Sequence, residues 1–427
     1  MPTSRVVPKK RAFSAKGVEP SIKLSPRGVL RLQGRHPWVY RSDIVSASGG
    51  ANDGNASDVP PGAVVRVLDQ RGKFLGTALY SSSSQIAIRM ISHSSVPDLP
   101  ALVAERIRAA IAYRKDKDNE LVANTDAYRI VFSEADFLPG LIVDRYHDVL
   151  SLQILTQGMD AAPVREAILQ TVREQLQPAG IVERVEARIR ALEQLAPRES
   201  ALLWGGKSST EIGMNRVRFH YAGLEGQKTG AFLDQRENYA AAARYAHGEA
   251  LDAFCYQGGF ALHLALGAGR PEAAKCSPVT GVDSSRPALE MAEKNGALNG
   301  RELEWIEANA FDLLRDYAAA NRRYDTIVLD PPAFAKSKRD LEKALRGYKE
   351  LNLRALKMLR PGGILVTCSC SFHVGGAEFL EVVSDAARDA HKDLHLLEVR
   401  GAAQDHPVLL NVPETGYLKC LILRVSN

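Results

Sequence analysis

The sequence predicts an α/β protein. A parallel sheet with helices on both faces fills the carboxyl-terminal half, behind a small β-rich segment and a small α+β segment. Three observations carry this. Beyond about residue 250, short apolar runs rich in β-branched residues alternate with helical patterns, which implies a parallel sheet. Two of those runs, Thr326 to Leu329 and Ile364 to Thr367, are continuous rather than alternating, as in strands covered on both faces. Upstream of Met90, strand-like runs are separated by turn residues and not by helices.

The chain has 427 residues, enough for two to four domains. An apolar share of 45% with 25% charged residues fits a globular protein and excludes a disordered or fibrous chain. The net charge of +5 hides an asymmetry: between Arg5 and Arg41 the lysines and arginines face a single acid, Glu19. Such an end suits a polyanion, most simply a nucleic acid. The five cysteines are unevenly spaced and show no paired metal-binding pattern, so no metal is expected and a reducing, cytoplasmic setting is. The most apolar stretch, Ala250 to Gly269, contains Asp252, Gln257 and His263, and reads as core rather than membrane span.

In order, residues 1–20 read as a disordered basic tail. Residues 21–95 form the β-rich segment, with strands expected at Val64 to Leu68, Phe74 to Tyr80 and Ile86 to Met90. The Gly/Ser/Asn-rich stretch from Ser46 to Pro61 is expected to be an irregular excursion. Residues 96–124 hold a connecting helix, on the apolar spacing of Leu102, Ile107, Ile111 and Leu121. Residues 125–222 form the α+β segment. There strands flank a turn at Pro139-Gly140, a helix spans Ala161 to Leu176, and Asp144-Arg145 reads as an ion pair at a strand end. Residues 223–427 form the doubly wound domain.

Within that domain the first strand, at Leu251 to Ala253, runs into Phe254-Cys255-Tyr256-Gln257-Gly258-Gly259 and then a helix. The second strand ends at Asp283, and Asp312 follows the third. A glycine loop, an acid for ribose hydroxyls and an acid for an adenine amino group suit a nucleoside-bearing cofactor. The loop lacks the Gly-x-Gly-x-x-Gly spacing that cradles a pyrophosphate, so S-adenosylmethionine fits better than a dinucleotide. Candidate cofactor contacts are Phe254, Tyr256, Gly258, Asp283, Ser284, Asp312 and Asp330. In isolation each Asp is equally well a helix N-cap.

The fourth strand ends in Asp330-Pro331-Pro332, where two prolines take the chain out of the sheet. Asp330 then stands at a strand's carboxyl end, where open α/β sheets bind ligands. The fifth strand ends in Cys368-Ser369-Cys370-Ser371. If the strand persists, both thiols point the same way. An acid-Pro-Pro corner beside a cysteine suits chemistry on a flat, electrophilic ring.

The stretch around His36 to Ile44, with the strands after it, resembles the PUA domain, a pseudo-barrel RNA-binding module. Arg35, His36, Trp38 and Arg41 are its candidate RNA contacts, although Trp38 is better explained as core packing. Asp330-Pro-Pro-Ala-Phe334, Arg346-Gly-Tyr-Lys349, Gly362-Gly363 through Ser371, Thr229-Gly-Ala-Phe-Leu-Asp-Gln-Arg236 and Asp136-Phe-Leu-Pro-Gly140 together resemble the PUA-containing ribosomal RNA cytosine-C5 methyltransferases. The resemblance covers about residues 22–427. It implies a Rossmann-like class I methyltransferase domain, S-adenosylmethionine as cofactor and large-subunit ribosomal RNA as partner. It also adds Gln235 to the cofactor contacts and makes Cys370 the catalytic thiol, assisted by Asp330. Cys368 is the competing nucleophile, and burial of either thiol as a small apolar residue is the plain alternative. Cys255, Cys276 and Cys420 read as structural. Lys336, Lys338 and Arg346, with Arg339, Lys343 and Lys349, are candidates for RNA phosphates, and a solvated helix face accounts for about half of such residues. A homodimer is compatible with this family. Methylation of a guanine or adenine nitrogen also uses an acid-Pro-Pro corner but needs no cysteine, and a non-catalytic RNA-binding or ribosome-assembly protein that retains the cofactor pocket is the alternative of another class.

Overall fold

The computed structural model describes residues 20–49, 59–115, 121–224, 231–267, 276–335 and 337–426. The expected basic tail and Lys336 fall outside them. Two units emerge, Met1–Leu99 and Pro100–Asn427.

In the first unit, β1 (Ser21–Leu24), β2 (Trp38–Tyr40), β3 (Ile44–Ser48), β4 (Val64–Leu68), β5 (Phe74–Tyr80) and β6 (Ile86–Ser92) form one sheet in the order β2-β6-β5-β4-β1-β3. Alternating residues such as Ile22, Leu24, Val65 and Val67 turn inward and are buried. A helix that the sequence reading missed, α1 (Pro26–Gln33), starts with Pro26 at its first turn and Ser25 capping the Gly28 amide. Its one-sided pattern is hidden in a short, basic stretch.

Helix α2 (Leu99–Arg114) begins at the last residue of the first unit, and the rest of it belongs to the second. The expected helix to Asn124 therefore stops short. Its last residue turns inward: Arg114 is buried and donates to both carboxylate oxygens of Asp136, at 2.5 and 2.8 Å, and to the Asp405 carbonyl. Leu121 is buried, but from a turn.

Next come β7 (Ala127–Phe132), β8 (Leu141–Tyr146), β9 (Val149–Ile154), α3 (Ala162–Leu176), β10 (Gly180–Glu183), α4 (Ala187–Leu192) and β11 (Ala201–Gly205). The strands pair in the order β11-β10-β9-β8-β7. A separate hairpin joins β12 (Ser209–Met214) to β13 (Val217–Ala222). Asp144 pairs not with its neighbour Arg145 but with Arg129 across the β7–β8 ladder, at 2.7 and 3.0 Å.

The remaining elements are α5 (Arg236–Tyr245), β14 (Ala250–Ala253), α6 (Gly259–Leu266), β15 (Val279–Asp283), α7 (Arg286–Leu298), β16 (Glu304–Glu307), α8 (Ala310–Ala319), β17 (Tyr324–Leu329), α9 (Leu341–Met358), β18 (Leu359–Ser369), α10 (Gly376–Asp389), β19 (Leu394–Arg400) and β20 (Lys419–Val425). The sheet order is β16-β15-β14-β17-β18-β20-β19. The five strands from β16 to β18 run parallel, and β20 is antiparallel to both its neighbours. This is the predicted Rossmann-like α/β domain. Its first strand, β14, lies between β15 and β17, so the strand order reverses there and a crevice opens at the carboxyl ends. Among the described residues, no helix is long and apolar enough to cross a membrane.

Candidate active site at the strand ends

The loop after β14 is strained. Phe254 and Tyr256 hold φ of 71° and 50°, in the left-handed region that non-glycine residues avoid. Asp283 fixes this loop: one carboxylate oxygen accepts from the Tyr256 amide and the other from the Ser285 amide, each at 2.9 Å. Gly258 follows with φ of 86°, and a Cβ there would lie 2.9 Å from the Trp305 ring. Only glycine combines that conformation with that approach.

Asp252, inside β14, is fully buried and was not among the predicted site residues. One oxygen accepts from the Ala261 amide at 2.8 Å and ties the strand to α6, while the other is buried without a hydrogen-bond partner. Burial pushes its carboxyl well above the usual range, against the Ala261 hydrogen bond and with repulsion from Asp330 and Asp283. The signal in the sequence is an acid inside an apolar run six residues before a glycine pair.

Asp330 stands directly after β17. Buried Gln235 donates to it at 2.9 Å, and the Gln235 oxygen in turn accepts from Asn238 at 2.7 Å. Half-buried aromatic rings line the same edge. Phe232 meets Tyr256 edge-on at 5.0 Å, and Phe311 lies between Phe254 at 6.4 Å and Phe334 at 5.7 Å. Phe232, Phe311 and Phe334 were not singled out from the sequence as cofactor contacts.

The structure therefore brings Gln235, Phe254, Tyr256, Gly258, Asp283 and Asp330 to one crevice. Ser284 is exposed beside Asp283. Asp312 sits in the first turn of α8, exposed and paired with Arg315 at 2.9 Å. The crevice fits S-adenosylmethionine. The cofactor carries an ammonium and a sulfonium, and the crevice offers an orphaned carboxylate oxygen on Asp252 with Asp330 nearby; it carries a flat adenine, and the rings supply faces.

The two thiols at the end of β18 differ. The strand stops at Ser369, so they do not share an environment. Cys368 is fully buried opposite Cys420 on β20, and burial, then Cys420 itself, pushes its thiol far up. Cys370 is half-exposed and turns its Sγ toward the Pro331 carbonyl at 3.8 Å. Buried hydroxyls hold this end of the strand. Ser369 donates to the Tyr348 oxygen at 3.0 Å, Tyr348 and Ser371 share a bond of 2.9 Å, and Ser371 accepts from the Phe334 and Ala335 amides. The acid-Pro-Pro loop is thus bonded to the residue that follows Cys370.

Among the basic candidates, Arg346 is exposed on α9, while Lys349 pairs with Asp389 at 2.8 Å. Lys338 lies in a short 3-10 helix, Lys338–Asp340. In the first unit, Arg41 is committed to the carbonyls of Ser81 and Ser84, at 2.7 and 2.9 Å. Arg35 takes a left-handed φ of 58°, and Trp38 is half-buried edge-on to His36 at 5.4 Å.

A model of the PUA-like domain matches residues 22–93, and one of S-adenosylmethionine-dependent methyltransferases matches residues 138–424. The ribosomal RNA large subunit methyltransferase I of Shewanella denitrificans is 38% identical over 411 residues, 95% of this chain and 99% of that one. The chain belongs to this family. Its cofactor is S-adenosylmethionine. The Aeromonas hydrophila protein of the same name is 37% identical over 415 residues, 94% of this chain and 98% of its own. The family's fold also recurs in a methyltransferase solved in complex with SAH. That structure is 18% identical with a TM-score of 0.77, over 95% of this chain and 100% of that one.

Proposed function

We propose that this protein methylates C5 of a cytosine in large-subunit ribosomal RNA, with Cys370 as the nucleophile and Asp330 assisting. The observation that carries this reading is the contrast between the half-exposed Cys370 and the sealed Cys368, at the edge where Asp330 and the cofactor crevice meet. The names of the relatives support the large ribosomal subunit as the source of substrate.

The chemistry uses these residues in turn. Cytosine C5 is a weak nucleophile. Addition of the Cys370 thiolate to C6 places electron density on C5 and on the N3 edge. Bound S-adenosylmethionine supplies the electrophilic methyl group. Asp330, steadied by Gln235, accepts from the N4 amino group and so orients the N3–N4 edge of the ring while the adduct stands. Loss of the C5 proton to a base and expulsion of the Cys370 thiolate restore the aromatic ring. Residues 21–95 act in this reading as the RNA-binding module, with Arg35 and Trp38 at its surface and Arg346 on the methyltransferase domain.

The test is nucleoside mass spectrometry of unmodified bacterial large-subunit rRNA incubated with the protein and methyl-labelled S-adenosylmethionine. Labelled 5-methylcytidine is expected. A labelled purine would overturn the cytosine reading, and no transfer to any nucleoside would overturn the RNA substrate.

A further inference from the structure

We propose that Lys419 is the positioning residue for the Cys370 thiolate: its ammonium, clamped to two main-chain carbonyls, supplies the positive charge that lets this thiol ionise at neutral pH. The inference rests on the Cys370 reading for its purpose, but not for its physics.

Lys419 opens β20 opposite Ser369, the residue before Cys370. Its Nζ donates to the carbonyl of Ser371, the residue after Cys370, at 2.7 Å, and to the carbonyl of Tyr417 at 2.8 Å. The side chain thus spans the position of the cysteine from one flank to the other. Fixing a long lysine chain costs rotamer freedom that a solvated lysine does not lose. Both acceptors are neutral, so the charge is left to act on its surroundings. Burial works against that charge, and the negative charges of Cys370 and then of Glu378 on α10 work in its favour.

Three described neighbours of the thiol, Tyr348, Tyr417 and Asp330, do not favour its charged form. Tyr348 on α9 and Tyr417 ahead of β20 both face Cys370, and burial pushes both phenols up, so they stay neutral. Asp330 is the neighbour of Pro331, whose carbonyl lies 3.8 Å from Sγ, and a carboxylate opposes a thiolate. A nearby cation is what a nucleophilic cysteine needs. Burial lowers Lys419 to about 8, which leaves it mostly protonated at pH 7.

The test is the pH dependence of Cys370 alkylation by iodoacetamide in the full-length protein, followed on the Cys370 peptide by mass spectrometry. Lys419→Met should move the midpoint up by about one pH unit and slow the reaction at pH 7 about tenfold, while Lys419→Arg stays close to the parent. Lys419→Gln, a donor without charge, serves as the second variant should Lys419→Met not fold. An unchanged midpoint in a folded, uncharged variant would overturn the proposal. So would an Arg variant that shifts as far as Met. The readout needs no methyl transfer, so a shifted midpoint alongside a Cys370→Ala protein that still methylates would sink the reading of Cys370 as nucleophile and leave this one standing.

Discussion

Gln235 holds Asp330. Its amide donates to the carboxylate at 2.9 Å from a fully enclosed position, and its own oxygen is held by Asn238. The acid of the Asp-Pro-Pro corner is therefore oriented by the turn before α5, more than ninety residues upstream in the chain. A buried partner removed from such a pair costs about 1–3 kcal/mol, because the group left behind keeps its desolvation penalty. Gln235→Leu should lower kcat roughly tenfold to a hundredfold and cost about 1–3 kcal/mol of stability, because buried Asn238 and Asp330 both lose a partner. Gln235→Glu should lower kcat too, by setting a like charge against Asp330. Steady-state kinetics beside melting curves distinguish these effects from misfolding.

The hydroxyl network around Tyr348 makes a second expectation. Tyr348→Phe leaves buried Ser369 without its acceptor and removes the Tyr348 bond that Ser371 makes. Urea unfolding should show a loss of about 1–2 kcal/mol. Because Ser371 also ties down the Phe334 and Ala335 amides, the alkylation rate of Cys370 should change as well. A variant with altered stability and an unaltered Cys370 rate would separate the network from the site.

His263, buried on α6, sets a pH dependence of stability. Its Nδ1 donates to the Gly259 carbonyl at 2.7 Å, and burial lowers it from 6.5 to about 4. The unfolded chain takes up this proton from about pH 6.5 downward and the folded protein only near pH 4. Between those values the unfolded state binds more protons, so the contribution of His263 falls as pH falls, by about 3 kcal/mol in all. His263→Gln lacks this slope. Its stability difference from the parent should shrink by about that amount between pH 7.5 and pH 4.5, as read by urea midpoints at each pH.

The parallel domain was legible because apolar runs and helical patterns alternate along the chain, and because Pro331-Pro332 and the cysteines mark where two strands end. That reasoning puts Asp330 and the two thiols at strand ends, while the choice of Cys370 over Cys368 as nucleophile comes from the family resemblance and stands as a proposal. The rest depends on distances in sequence that no local pattern encodes. Lys419 reaches the Ser371 carbonyl, one residue past Cys370, from forty-odd residues downstream through the β18–β20 pairing. Asp405, from a loop with no periodicity, accepts from the Arg129 amide at 2.7 Å and from Arg236 at 3.2 Å, which joins three distant segments of the second unit. Asp252 reads as one more polar residue in a strand until its burial is seen. The alternation rule placed both thiols on one side; it failed because the strand ends between them.

The most direct measurement is covalent trapping. Large-subunit rRNA transcribed with 5-fluorocytidine is incubated with the protein and S-adenosylmethionine, then run on denaturing gels. After addition at C6 and methyl transfer, fluorine cannot leave C5 as a cation, so the thiolate cannot be expelled and the enzyme stays attached. A protein–RNA adduct that survives denaturation with the parent and with Cys368→Ala, and is absent with Cys370→Ala, is the predicted result. An adduct that persists in Cys370→Ala and vanishes in Cys368→Ala, or an active enzyme that forms no adduct at all, would contradict the assignment of Cys370 as nucleophile.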